Sequence, residues 1–124
     1  LNNRVVLTGW VDETNMPSLY ACLDAYVHAS HFETFGFVIA EAMMFGLPII
    51  ATKTSGAAKD AVTNKEEGVL FDFGDITSFS NGMLNVMKEG EKNRNNIKKK
   101  ASLMYEFDVM WRNHISLYKT HLNR

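Results

Sequence analysis

Two carboxylates and a glycine between them are the residues in this sequence best suited to chemistry. Glu33 and Glu41 are eight positions apart, and Gly36 lies between them. The chain is apolar with few breaks from residue 35 to residue 45 and then meets Gly46, a pattern typical of a helix that ends at a glycine. We therefore expect Glu33 to precede this helix and Glu41 to lie within it.

Glu41 is the only charged residue between Glu33 and Lys53. A carboxylate on so apolar a helix costs free energy unless it faces water or receives hydrogen bonds. Because an ionised carboxylate only accepts hydrogen bonds, it suits a vicinal diol such as a ribose. Two interpretations stay open at this point: Glu41 binds a ligand, or it lies on the solvated stripe of an amphipathic helix.

The start of the same helix is a second candidate for ligand binding. Unpaired amides and the positive end of the helix dipole suit a phosphate group. Gly36 has no side chain to block the close approach of a ligand. In open parallel sheets, ligands bind beyond the carboxyl ends of the strands, which is where this helix is expected to begin.

Short apolar runs alternate with helical patterns along the chain. We predict strands at residues 5–7, 25–27, 48–51 and 68–71, and helices near 17–23, 35–45, 58–62, 76–88, 91–105 and 109–122. This alternation predicts an α/β fold, a Rossmann-like parallel sheet with helices on both faces. Gly82 is expected to weaken its helix by about 1 kcal/mol relative to alanine.

Composition excludes some classes of protein. The chain has 124 residues, 46% of them hydrophobic, and a formal net charge of −1. This balance argues against a nucleic-acid binder, and the single cysteine suits a reducing, cytoplasmic compartment. Residues 88–124 are nevertheless basic and include Lys98, Lys99 and Lys100. This run is either a solvated helix surface or a weak peripheral contact with an anionic membrane at its inner face.

The segment from Glu33 to Glu41, followed by residues 46–51, resembles the E-x7-E segment of retaining GT-B glycosyltransferases. The sequence is most similar to the family called glycosyl transferases group 1 (family 4). The flanking segments agree in order: residues 5–11, 19–27, 55–57 and 68–71 resemble the family's corresponding strands, helix and glycine loop. Two positions depart from the family pattern, since Lys59 and Asp60 stand where a Pro-Glu pair is usual and Ala57 replaces a glycine.

The resemblance implies a role for each matching residue. Glu33 would be catalytic, contacting hydroxyls of the transferred sugar and holding the donor, and Glu41 would bind the nucleotide ribose. The other implied donor-binding positions are main-chain ones, namely Thr34, Phe35, Gly36 and Phe37 at the sugar and diphosphate and Gly9, Trp10 and Val11 near the nucleobase. No metal or other cofactor is implied, because helix amides and basic side chains would stabilise the leaving diphosphate.

The resemblance also implies a function for the whole chain. Residues 1–124 would form one partial nucleotide-sugar-binding domain, the C-terminal half of a GT-B fold truncated at its N-terminal side, with an α/β core to about residue 88 and C-terminal helices beyond. The partners would be a UDP- or GDP-sugar, a glycan or lipid-linked acceptor, and the missing N-terminal acceptor domain. This domain and the diphosphate-binding Arg and Lys would lie upstream of residue 1. Such a hexosyltransferase would serve polysaccharide biosynthesis, and the isolated chain would be inactive.

One alternative is a non-catalytic flavodoxin-like or receiver-like binding module, for which 124 residues is a natural length. A receiver needs an acidic cluster after its first strand and an aspartate after a later one. Asp12 and Glu13 meet the first requirement, but the strand at 25–27 continues into His28 rather than an aspartate.

Overall fold

Helices and strands alternate along the part of the chain that the structure, a computed structural model, describes, which is residues 4–106. In chain order the elements are α1 (Met16–Ala21), β1 (Tyr26–His28), α2 (Phe37–Met44), β2 (Ile49–Thr52), α3 (Gly56–Ala61), β3 (Gly68–Phe71), α4 (Ile76–Glu89) and α5 (Arg94–Tyr105). A short 3-10 helix, Gly90–Asn93, joins α4 to α5. The helix predicted at 109–122 lies outside the described residues.

The strands form a parallel sheet in the order β1-β2-β3. The central strand β2 is buried along its whole length, as its run of apolar residues requires. Its side chains alternate between the two faces, so that Ile49 and Ala51 join one core cluster and Ile50 joins another. The predicted α/β class, a Rossmann-like parallel sheet with helices on both faces, is confirmed.

The larger core lies on the face covered by α2, α3 and α5. Ile39 and Met43 from α2 pack there with Ile97 and Ala101 from α5, and all four side chains are buried. The two helices approach closely at Gly46, where a Cβ would lie 2.7 Å from the carbonyl oxygen of Arg94. This packing fixes α2, the helix that carries Glu41, between the sheet and α5.

The opposite face is covered by α4, which contributes Val86 and Phe79 to the second cluster. Gly82 faces the sheet, and a Cβ added there would lie 3.1 Å from Cγ1 of Val69. The glycine that we expected only to weaken its helix therefore also allows α4 to lie close against β3.

The prediction of a strand at residues 5–7 is wrong. In the structure this segment is not part of the sheet, and its side chains are exposed, up to 93% for Leu7. None of the backbone hydrogen bonds within residues 4–106 joins positions 5–11 to another element. The run has the residue types of a buried strand, but a strand forms only where a neighbouring strand pairs with it.

The three consecutive lysines are not equivalent. Lys98 and Lys99 are exposed, whereas Nζ of Lys100 pairs with Oε2 of the buried Glu67 at 2.8 Å and also donates to the carbonyl oxygen of Ala61. The interpretation of residues 98–100 as a solvated helix surface is therefore wrong for Lys100. This side chain joins α5 to the segment between α3 and β3. Of the described helices, none is long and apolar enough to cross a bilayer.

Candidate functional site

The turn at residues 33–36 lies between the ends of two strands, β1 and β2. Glu33 forms an isolated parallel bridge with Ser55, and its carbonyl oxygen accepts a 3.0 Å hydrogen bond from the amide of Gly56. The carbonyl oxygen of Phe35 accepts a 2.7 Å hydrogen bond from the amide of Ala57. The first amides of α3 are thus used to hold the turn, which makes it a well-defined part of the backbone at the carboxyl edge of the sheet.

The preceding loop is held to the same edge by hydroxyl groups. Oγ1 of Thr52 donates a 2.6 Å hydrogen bond to the carbonyl oxygen of Ser30, and Oγ1 of Thr54 donates a longer one, 3.3 Å, to the same atom. These contacts fix the path of the chain from the end of β1 to Glu33.

Gly36 caps α2 in a conformation that favours glycine. Its φ of +88° lies in the left-handed region, and a Cβ there would lie 3.2–3.3 Å from Oγ of Ser55, Cγ of Glu33 and Cδ1 of Ile39. The absence of a side chain is thus required both by the backbone and by the packing around it. The glycine noted in the sequence as permitting close approach of a ligand is equally a condition for the turn itself.

The amides just before and at the start of α2 differ in their hydrogen-bond acceptors. The amide of Phe35 donates to Oε1 of Glu33 at 3.3 Å, so the carboxylate folds back over its own turn. For the amides of Phe37 and Val38, the hydrogen bonds found within the described residues include no acceptor. These two amides are oriented along the axis of an eight-residue helix, where an anion is favoured by the dipole.

Glu41 lies one helical turn beyond Phe37, on the exposed stripe of α2 that also contains Met44. Its Oε2 accepts a 3.0 Å hydrogen bond from the hydroxyl of Tyr20, a buried residue of α1. Burial, together with this hydrogen bond, raises the pKa of Tyr20 well above its usual value, so the phenol stays protonated and continues to donate. The side chain of Glu41 is therefore exposed to solvent, while one of its two carboxylate oxygens is held by a hydrogen bond.

The residue pattern of the helix near 17–23 assigns no role to the hydroxyl of Tyr20. A buried tyrosine usually finds a partner for its hydroxyl, and that rule is the signal by which the contact could have been sought. Tyr26 lies nearby, with its ring centroid 6.1 Å from that of Tyr20.

Exposed aromatic side chains surround the turn. The rings of Phe35 and Phe37 are 4.6 Å apart, and His31 meets Phe73 edge-on at the same separation. All four residues are exposed. They give the carboxyl edge of the sheet an apolar rim next to its hydrogen-bonding groups.

The structure brings together some of the sequence-predicted site residues and not others. Glu33, Thr34, Phe35, Gly36 and Phe37 form one continuous turn and helix start, with Glu41 a turn further on. Gly9, Trp10 and Val11 belong to the exposed segment before α1, where Trp10 is 91% exposed. No hydrogen bond in the described region connects these three residues to the turn.

The residues of the site are not arranged as metal ligands. Within residues 4–106, no group of three or more His, Cys, Asp or Glu side chains is placed to hold a metal ion. Lys59, one of the departures from the family pattern, is exposed in the last turn of α3.

Comparison with known proteins decides the family. The sequence model described as glycosyl transferases group 1 matches residues 1–104. The chain belongs to this family. Membership sets aside the flavodoxin-like or receiver-like alternative, and it agrees with the E-x7-E segment from which the resemblance was drawn.

Relatives of this group 1 domain cover it almost completely. It is 30% identical over 106 residues to N-acetyl-alpha-D-glucosaminyl L-malate synthase of Bacillus anthracis, a match that covers 86% of this chain and 27% of that protein. It is 28% identical over 124 residues to the capsular polysaccharide biosynthesis glycosyltransferase CapM of Staphylococcus aureus, covering 98% of this chain and 32% of that one.

Solved structures share the fold of the group 1 domain. The crystal structure of Anabaena Alr3699/HepE in complex with UDP superimposes with a TM-score of 0.79 at 27% identity, covering 95% of this chain and 33% of that one. The same protein in complex with UDP-glucose gives a TM-score of 0.65 at 25% identity, covering 85% and 30%. The chain thus spans about a third or less of the length of each protein named here.

Proposed function

We propose that the chain is the nucleotide-sugar-binding domain, residues 1–124, of a retaining glycosyltransferase that transfers a hexose from a UDP- or GDP-sugar to a glycan or lipid-linked acceptor. The observation that carries this proposal is the turn from Glu33 to Gly36 at the carboxyl edge of a parallel sheet, which holds a carboxylate directly before α2, whose first amides have no acceptor among the described residues. Family membership and the UDP complex of a structural neighbour support it.

The donor would lie along the exposed stripe of α2. The amides of Phe37 and Val38 would face its diphosphate, and the carboxylate of Glu33 would accept hydrogen bonds from hydroxyls of the hexose. Glu41 is four residues beyond Phe37, about 6 Å along the helix axis, so its free oxygen would accept from the ribose. The family resemblance adds Thr34, Phe35 and Gly36 at the sugar and diphosphate and Gly9, Trp10 and Val11 near the nucleobase.

This arrangement would stabilise the leaving diphosphate with fixed dipoles. Oriented amides aimed at developing negative charge lower the barrier because they need no reorganisation during the reaction. We propose that the basic side chains that share this work lie upstream of residue 1, and that the acceptor-binding surface belongs to a separate N-terminal domain. The isolated chain would then bind donor weakly and show no turnover, and no metal would be needed.

The exposed Lys98 and Lys99 are compatible with a cytoplasmic enzyme that contacts an anionic membrane from its inner face, where a lipid-linked acceptor would be found. This part of the proposal is tested by sedimentation of the full-length protein with anionic and with neutral vesicles. Equal recovery with both kinds of vesicle would contradict it.

Calorimetry of the full-length protein with UDP, GDP and ADP, and with the corresponding hexose conjugates, tests the donor assignment. We expect one base to bind with a dissociation constant in the micromolar range, and its sugar conjugate to compete for the same site. Binding of none of the UDP and GDP compounds would contradict the proposed function. Residues 1–124 expressed alone serve as the comparison for turnover.

A further inference from the structure

The hydroxyl of Ser55 is a buried polar group without an assigned purpose. The residue is 0% exposed, and among the described residues its Oγ has no hydrogen-bond partner. Ser55 precedes α3 in an extended conformation that suits an N-cap, yet its side chain makes no capping hydrogen bond. A buried hydroxyl that stays unpaired costs free energy, so a group at this position calls for an explanation.

The usual partners of a capping serine are already engaged. The amides of Gly56 and Ala57 donate to the carbonyl oxygens of Glu33 and Phe35, at 3.0 and 2.7 Å. The amide of Ala58 donates to the carbonyl oxygen of Ser55 itself at 3.3 Å. The hydroxyl is therefore not needed to complete α3 and is available to another group.

Ser55 Oγ lies directly beneath the turn that carries Glu33. The position of a Cβ on Gly36 would be 3.2 Å from Oγ of Ser55 and 3.3 Å from Cγ of Glu33, so both side chains border the same point. The backbone holds them there, since Glu33 and Ser55 are partners in the isolated parallel bridge. The side chain of Glu33 thus has a buried hydroxyl as its neighbour on the inner side of the turn.

On the outer side, the carboxylate of Glu33 is held only loosely. The bond from the amide of Phe35 to Oε1 is 3.3 Å long, beyond the common range for N–H···O hydrogen bonds. A sugar hydroxyl that donates to Oε1 would share this acceptor with the amide of Phe35, because a carboxylate oxygen can accept more than one hydrogen bond. A second protein hydrogen bond to the carboxylate would hold it more firmly in one rotamer while the sugar is bound.

We infer that Ser55 is a positioning residue: its hydroxyl donates to the carboxylate of Glu33 in the donor complex and fixes the orientation of that carboxylate toward the sugar. The inference rests on the proposed function and names a residue that acts through Glu33 without touching the donor. Because small misplacements of reacting groups are costly, loss of this restraint lowers turnover more than it lowers binding.

The test compares Ser55→Ala and Ser55→Cys with Ser80→Ala in the full-length protein. The cysteine keeps the volume of the buried side chain with a much weaker donor, and Ser80 is an exposed serine of α4. UDP release from UDP-glucose, with water as the acceptor, gives kcat. Calorimetry gives the dissociation constant for UDP-glucose, and thermal unfolding reports whether each variant is folded.

We expect both Ser55 variants to lose about tenfold or more in kcat, with the dissociation constant within about twofold of wild type. Turnover equal to that of Ser80→Ala overturns the inference, and so does weaker binding at unchanged kcat, which would indicate a direct ligand contact. Unfolding of both variants would show a structural role and overturn it as well. A wild-type protein that binds neither UDP- nor GDP-sugars would instead contradict the proposed function, and this inference with it.

Discussion

The hydroxyl of Tyr20 in α1 donates a hydrogen bond of 3.0 Å to Oε2 of Glu41 in α2, a residue 21 positions further along the sequence. The contact leaves the second carboxylate oxygen of Glu41 for a ligand and restricts the rotation of the side chain. Binding is strengthened when a group is ordered before the ligand arrives, because less conformational entropy is lost. Tyr20 is therefore expected to contribute to donor affinity without touching the donor.

Replacing Tyr20 by phenylalanine tests this relationship. Tyr20→Phe removes only the hydroxyl, and we expect donor binding to weaken by about fivefold, which corresponds to roughly 1 kcal/mol for one hydrogen bond. Calorimetry with the nucleotide diphosphate that binds wild type measures the effect. Tyr26→Phe is the matched control, since Tyr26 lies beside Tyr20 and has no described hydrogen bond to Glu41. Equal affinities for both variants would show that the contact is unimportant for binding.

Two glycines with nearly the same backbone conformation allow the cost of backbone strain to be distinguished from the cost of crowding by neighbouring side chains. Gly36 and Gly74 have φ values of +88° and +89°, but a Cβ would be crowded at Gly36 and would meet nothing within 4 Å at Gly74. We expect Gly36→Ala to destabilise the protein by about 1–2 kcal/mol more than Gly74→Ala and to reduce donor binding, because the crowded Cβ displaces the turn that leads into the open amides of Phe37 and Val38. Chemical denaturation and calorimetry measure the two effects. Similar losses for both variants would mean that the crowding at Gly36 is relieved without consequence.

The ion pair between Lys100 and Glu67 predicts that neighbouring lysines contribute unequally to stability. Lys100→Met leaves the buried carboxylate without its cation, and we expect a loss of roughly 2 kcal/mol in the free energy of unfolding at pH 7. Lys99→Met, at an exposed position of the same helix, should change it by less than about 0.5 kcal/mol. Equal effects in urea denaturation would contradict the structural role of Lys100.

The ion pair between Lys100 and Glu67 also makes the free energy of unfolding depend on pH. Burial acts to raise the pKa of Glu67, but hydrogen bonds from Lys100 and Thr63 outweigh burial, and the pKa lies below its usual value. The stabilisation is thus present above the unfolded-state pKa of about 4.3 and is lost as the pH falls through the folded-state value. We expect the difference between wild type and Lys100→Met to narrow below about pH 4. A difference that is constant from pH 7 to pH 3 would exclude the charge of Glu67 as its cause.

The packing around Gly82 predicts the sign of the change in unfolding free energy when this glycine is replaced by alanine. In a solvated helix, glycine to alanine would stabilise by about 1 kcal/mol. Here the new Cβ would lie 3.1 Å from Cγ1 of Val69, so we expect Gly82→Ala to destabilise in wild type and to stabilise in the Val69→Ala background. A double-mutant cycle of unfolding free energies measures the coupling. Stabilisation in both backgrounds would show that the helix moves away from β3 at little cost.

Local sequence pattern was sufficient for most of the fold. The strand at residues 68–71 has the predicted bounds, and the helix predicted at 76–88 differs by one residue at its end. Both segments have a clear periodicity and glycine or aspartate at their limits. Residues 5–7 show where pattern fails, since the same residue types form no strand without a strand to pair with.

The site was predictable in part. The turn at Glu33 and Gly36 and the helix that carries Glu41 follow from an apolar run bounded by glycines. The contacts of Tyr20, Ser55 and Lys100 were not predictable, because each joins residues distant in sequence and depends on how the helices pack on the sheet. Nor does the pattern show that the first amides of α3 would be used by the carbonyl oxygens of the turn.

The donor affinity of Glu41→Ala in the full-length protein tests the central claim most directly, with Glu66→Ala as an exposed acidic control and Glu33→Ala measured alongside. If α2 holds the ribose of a nucleotide sugar, Glu41→Ala raises the dissociation constant for the nucleotide diphosphate about tenfold or more, whereas Glu33→Ala mainly lowers kcat. Affinity and turnover that are unchanged in both variants would contradict the assignment of this helix and turn as the donor site.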